Sequence, residues 1–165
     1  MTASYLKDAP GVRKARALAY FGSVIEGLID QLQVIEVALQ EVDVALDQAQ
    51  PPHTGRIRLM WVGRKARGWR EECEPQAVRW LRSRSSGKWR AVRLPVTNLV
   101  RRQVTTGEFE HGQAEVRDLL GRMATLLTLH AAVRGRLARL DGEWTLAHPH
   151  VARRAAAAAL GWRRA

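Results

Sequence analysis

From Leu18 onward the apolar residues recur at Leu18, Phe21, Ile25, Leu28, Leu32, Ile35, Leu39, Val42 and Leu46, in steps of three and four without a slip. A period of about 3.5 residues keeps one stripe turned toward a partner helix, so this pattern predicts a coiled-coil seam on a long helix over 11–50. Pro51 and Pro52, in "DQAQPPH", cannot continue it. The same period returns at Val116, Leu119, Met123, Leu126, His130, Val133, Leu137 and Leu140, and predicts a second long helix over 112–140. Two helices of matched length around a compact insert fold back most simply as an antiparallel coiled-coil hairpin, with the insert at its tip. Both helices carry apolar residues off the seam: Val24, Ile29, Val34, Val37 and Val44 on the first, Leu120, Leu127 and Leu129 on the second. One partner helix cannot cover two stripes, so a homodimeric four-helix bundle is expected, the alternative being that the extra stripe docks a different protein.

Between the helices the period changes. In "RIRLMWV", 56–62, Ile57, Leu59 and Trp61 alternate with Arg56 and Arg58, which predicts a half-buried strand with a basic outer face. "AVRWLR", 77–82, and "KWRAVRL", 88–94, are rich in β-branched and aromatic residues, and "SRSSG" between them has turn chemistry. Together they predict a three-stranded antiparallel meander over 55–95, with "GRKARGWREECEP" as its first loop. The pattern breaks at Ala91–Val92, where a bulge would fit. A short helix, "VTNLVRRQ", returns the chain. "DGEWTLAHPH" reads as a loop, and the alanine run beyond it as a short basic tail helix over 150–164. The expected fold is therefore α+β and mainly helical, in one domain of 165 residues.

Charge sharpens this picture. The chain carries a net +11, but residues 1–50 are net −3, 51–105 net +11, 106–149 net −1 and 150–165 net +4. An arginine-rich composition alone would raise charge throughout; segregation into the β insert points to a polyanionic partner. Twelve of the fourteen basic residues in the insert are arginine, suited to bidentate phosphate or guanine contact and to stacking. The candidate nucleic-acid contacts are Arg56, Arg58, Arg64, Lys65, Arg67, Arg79, Arg82, Arg84, Lys88, Arg90, Arg93, Arg101 and Arg102, with Trp69 as a base-stacking residue in the first loop. Trp61, Trp80 and Trp89 are assigned instead to the small sheet's own core. A solvated basic face is the plain alternative to binding.

Catalytic signatures do not appear. Glu71, Glu72 and Glu74 stand beside arginines in one loop, and Glu108, Glu110 and His111 in another, where local charge compensation accounts for them. His148 and His150 have no partners at zinc spacing, and His130, with Arg134 four residues on, reads as a core or half-exposed residue of the seam. There is no phosphate-cradling glycine loop and no nucleophile elbow. Neither cofactor nor metal is expected, and the chain reads as a non-enzyme. One cysteine, Cys73, excludes an intrachain disulfide and suits a reducing compartment, and with no membrane-length apolar run the expectation is cytoplasmic.

In arrangement, a three-stranded sheet ending in "GKWRAVR" resembles the arm-type DNA-binding modules of tyrosine recombinases, and the order long helix, β insert, long helix resembles prefoldin subunits. The first resemblance implies a sheet laid in a major groove. The basic insert and basic tail are not part of the prefoldin pattern, and the chain has no recombinase catalytic domain. The expectation from the residues is a dimeric accessory protein, of the kind carried by mobile genetic elements, that presents a basic β-tip to nucleic acid, DNA before RNA. The alternative is a protein–protein module, such as an adaptor or an inhibitor of a host defence or replication complex.

Overall fold

Helix α1 spans Pro10–Ala49 and helix α2 spans Gln113–Trp162 in the computed structural model, with strands β1 (Ile57–Arg64), β2 (Glu72–Arg82) and β3 (Trp89–Arg93) between them. The structure describes residues 10–64 and 72–162, with side chains described at 12, 13, 15–63 and 73–140. The fold is mixed α+β and mainly helical. Proline at the first position of α1 lacks only an N–H that would have no helical partner there. At the other end Gln50 N–H still donates to Leu46 O, and the two prolines stop the helix.

The described chain divides into two compact units. One holds residues up to Leu32 and from Val133 onward, and its buried side chains include Leu28, Val133 and Leu137. Leu18, Phe21 and Ile25, at the start of the first seam, are about half exposed. The other unit, Gln33–Ala132, holds the sheet and the main core. Within it Glu36 meets His130, and Ala49 O lies 3.6 Å from where a Cβ on Gly112 would stand, so the two helical segments run antiparallel. Leu39 and Leu46 are fully buried against Val116, Leu119 and Met123, with Ile35 and Val42 packed at the edge, as the seam predicts.

Leu120 and Leu127 are not a second outward stripe. Both are buried in the same cluster as Ile57, Ala77, Leu94 and Leu99, so the sheet covers them within one chain. The off-seam face of α1 has no such cover: Val34, Val37 and Val44 are 70%, 55% and 56% exposed.

The sheet is an antiparallel meander in the order β1-β2-β3. Ile57 pairs with Arg79 and Arg64 with Glu72; Val78 pairs with Arg93 and Arg82 with Trp89. The register is unbroken at Ala91–Val92, so the bulge expected there is absent. The first loop is also shorter than its composition suggests, because β1 runs to Arg64 and β2 starts at Glu72. Pro75 is tolerated in β2 because β3 pairs only with residues 78–82, leaving Pro75 on a stretch with one described neighbour. The second turn closes as read, with Ser83 N–H donating to Lys88 O and Gly87 N–H to Ser83 O.

Two further elements differ from the sequence reading. "VTNLVRRQ" forms two 3-10 turns, Val96–Asn98 and Val100–Arg102, around buried Leu99, since β-branched residues and Asn give little support to a full α-helix. The loop expected at "DGEWTLAHPH" is helical, and the separate tail helix is instead the end of α2. Gly142 and Pro149 are isolated breakers, costing about 1 and 3 kcal/mol, among strong helix formers such as Leu146, Ala147 and the alanine run.

Candidate nucleic-acid interface

The unit Gln33–Ala132 sets β1 beside α1, and the free edge of β1 is served by helix side chains. The buried Gln50 amide donates from Nε2 to Ile57 O (2.8 Å) and Leu46 O (3.1 Å), and Ile57 N–H donates to its Oε1 (2.9 Å). Asp43 Oδ1 accepts from Leu59 N–H at 2.7 Å. Asp43, Asp47 and Gln50 stand four and three residues apart, hence on one helix face.

That face also takes up two of the expected nucleic-acid contacts. Arg58 donates to both Asp43 oxygens, from Nε at 2.9 Å and Nη2 at 2.8 Å, and also pairs with Asp47. The hydrogen bond to Asp43 raises the Arg58 pKa against the opposing effect of burial. Arg56 reaches Asp47 at 3.4 Å. Both arginines therefore tie the sheet to α1. Such a fork-to-carboxylate pair, only partly exposed, is a fastening with specific geometry rather than a loose surface contact.

The remaining cations divide between the two sides of the sheet. Register places Arg79 with Ile57, Leu59, Trp61, Ala77, Arg90 and Val92 on the side that packs on the helices. Arg79 is half-buried, and its Nε has no hydrogen-bond partner. Burial lowers its pKa, and the charge of Arg102 lowers it further, which places those two guanidiniums near each other. Arg101 and Arg102 end the second 3-10 turn and are exposed.

The opposite side carries Met60 and Val62 from β1, Gln76, Val78, Trp80 and Arg82 from β2, and Trp89, Ala91 and Arg93 from β3. Arg82, Trp89 and Arg93 are exposed there. Arg82 Nε donates to Gly87 O at 3.1 Å, which steadies the guanidinium beside the turn and leaves its terminal nitrogens available. Arg84 and Lys88 lie exposed in that turn. Among the described residues, none of Arg82, Arg84, Lys88, Arg90, Arg93, Arg101 and Arg102 is paired with a carboxylate. Arg64 closes β1 opposite Glu72, its side chain lying outside the described residues, as do Lys65, Arg67 and Trp69 altogether.

Trp61 alone of the three strand tryptophans meets the helices, edge-on to His130 at 6.5 Å between ring centroids. His130 is buried, with Nε2 3.1 Å from Glu36 Oε1. Trp80 and Trp89 lie on the other side, outside the main core and beside Arg82 and Arg93; Trp80 is half-buried there near buried Val78, and Trp89 is exposed. The alternation of the strands carries that signal: Trp80 and Arg82 are two apart on β2, and Trp89 and Arg93 four apart on β3.

Among the described residues no group of three or more His, Cys, Asp or Glu is placed to hold a metal ion, and no helix is long and apolar enough to cross a membrane. Comparison with protein families, curated proteins and solved structures finds nothing that matches the chain.

Proposed function

We propose that the chain is a nucleic-acid-binding accessory protein that grips phosphate through the arginines of β2, β3 and the segment after them. The observation that carries this reading is the unequal fate of the cations. Those near α1 are matched to Asp43 and Asp47, whereas the seven from Arg82 to Arg102 face no described carboxylate. Unmatched, mostly guanidinium charge concentrated on the small sheet, its second turn and the segment after it is the footprint of a polyphosphate partner. Arg56 and Arg58 leave the contact set in this reading and become its support. The protein acts by positioning or compacting nucleic acid, or by bringing another factor to it, with no chemical step.

The scaffold is an antiparallel coiled-coil hairpin that dimerises. Between Gln33 and Ala49, α1 exposes Val34, Val37 and Val44 around Glu41 and has no Lys or Arg. The outward residues of α2 include Leu129, Arg117 and Arg122. A second copy that lays its α2 on α1 matches Leu129 with the exposed valines, and brings up Arg122, which is paired with Asp118 on its own helix. A different protein with a basic amphipathic helix would suit the same face, and it is the outcome to expect if the chain proves monomeric.

The test is fluorescence anisotropy with labelled nucleic acid across a salt series. The expected log–log slope is about −4 to −8, close to one unit per phosphate neutralised. Arg90→Glu with Arg93→Glu should weaken binding by more than about tenfold, through loss and reversal of two phosphate contacts, and leave the circular dichroism unchanged. Equal binding by that variant would show that the sheet is not the contact surface.

A further inference from the structure

The side of the sheet that faces away from the helices has an arrangement that basic character alone does not explain. Trp80 stands directly opposite Ala91, and Arg82 directly opposite Trp89. On this side the four form a checkerboard in which the two indoles lie on one diagonal. Direct cross-strand neighbours are ~5 Å apart and diagonal ones ~7–8 Å. Arg93 follows Ala91 on β3, opposite Val78, and continues the pattern at the end of the strand.

Trp89 is 45% exposed, unusual for the largest apolar side chain in a sheet this small, and Trp80 is half-buried. Ala91, directly opposite Trp80, has the smallest side chain on this side of the sheet. Neither indole belongs to the main buried cluster, which Ile57, Ala77, Leu94 and Leu99 make with the helices; on the indoles' own side Val78 is buried.

We propose that Trp80, Trp89, Arg82 and Arg93 form a stacking platform for single-stranded nucleic acid, in which bases lie on the indoles and the intervening phosphates meet the guanidiniums. This rests on the nucleic-acid reading above and names the form of polymer bound. Spacing carries the choice. Stacked bases in a duplex strand are about 3.4 Å apart, roughly half the ~7–8 Å between diagonal residue positions on neighbouring strands, so bases held on both indoles must be unstacked from each other. A single strand is free to splay in that way; a duplex must first melt. Base–aromatic stacking is tolerant of sequence because every base has a π face, so the platform binds without strong base preference. Arg79, Arg90, Arg101 and Arg102, on or near the other side of the sheet, supply general attraction but no stacking surface.

The experiment uses the full chain and oligonucleotides of about 16 nucleotides, the upper site size of comparable platforms, as single-stranded DNA, single-stranded RNA and duplex DNA at one salt concentration. Intrinsic tryptophan fluorescence and anisotropy are read together. Single strands should bind at least about tenfold tighter than duplex and quench the indole emission. Trp89→Ala should weaken single-strand binding by about five- to hundredfold, the range for loss of one stacked base, and leave duplex binding within about twofold. Trp89→Phe should recover much of the loss. Duplex bound as tightly as single strands, with Trp89→Ala neutral, overturns the platform and leaves the phosphate grip standing. Absence of binding to all three polymers overturns both.

Discussion

Gln50 offers the most exacting check on how the candidate interface is held. Its side-chain amide is buried and behaves as a fourth strand one residue long. It gives a donor to Ile57 C=O at 2.8 Å and an acceptor to Ile57 N–H at 2.9 Å, while a second donor contact reaches Leu46 C=O at 3.1 Å. Ile57 is itself buried and opens β1, with Arg79 as its partner on the other side. Gln50→Met keeps the length and nearly the volume of the side chain but offers neither donor nor acceptor. The N–H and C=O of Ile57 then stay buried and unpaired, at about 1–3 kcal/mol each. Removing the amide's own desolvation returns part of this, which leaves a net loss of about 2–4 kcal/mol.

Urea denaturation of the full chain, followed by tryptophan fluorescence, measures that loss as a shift in midpoint at constant slope. In thermal melts each kcal/mol should lower the midpoint by about 2–4 °C for a chain of this size. Gln50→Glu keeps the acceptor and loses both donors, so it should also destabilise, by placing a buried carboxylate against two carbonyl oxygens. Gln50→Ala should be worse than Gln50→Met, since it adds a cavity to the lost hydrogen bonds. A change under about 0.5 kcal/mol for Gln50→Met, the size of an ordinary surface substitution, would refute the argument. The edge of β1 would then be satisfied by some means other than this amide.

Gly55 has φ +108°, and a Cβ there would lie 3.0 Å from Val104 Cγ2, whereas Gly107 has φ +65° and open space around it. Gly55→Ala should therefore cost about 1–3 kcal/mol and more than Gly107→Ala, which carries only the left-handed backbone term of about 1 kcal/mol; equal losses in urea would remove the steric part of the argument. Val37→Asp with Val44→Asp changes two exposed positions on α1 and should convert the proposed dimer to a monomer in sedimentation equilibrium with secondary structure intact, because two apolar contacts are lost and two carboxylates must be desolvated in their place. Unchanged mass at all concentrations would exclude this face as the self-contact.

Much of the architecture was legible because it depends on period. The 3-and-4 steps mark Leu39, Leu46, Val116, Leu119 and Met123 as one buried seam, and the 2-period of "RIRLMWV" puts Ile57 inward. What period cannot carry is which second surface covers a helix. Leu120 and Leu127 read as an outward stripe because their cover is a sheet distant in sequence, while the valines of α1, identical in kind, have none. The same limit governs the arginines. By composition Arg58 and Arg93 are equivalent, each a cation on a short strand and on the same side of the sheet, at opposite ends of one cross-strand row through Val78. The difference between them is set by position in that row. Arg58 stands on the edge strand beside α1, where Asp43 and Asp47 reach it; Arg93 stands on the far edge, where no described carboxylate does. A helix that lacks cations over residues 17–50 can neutralise only the strand next to it. The acidic helix thus does more than balance the basic insert: it selects which edge of the sheet keeps its charge, and that edge also carries Trp89. On the proposed nucleic-acid reading, the order of the strands makes β1, tied to Asp43 and Asp47, the anchor and β3, with no described carboxylate beside it, the contact edge.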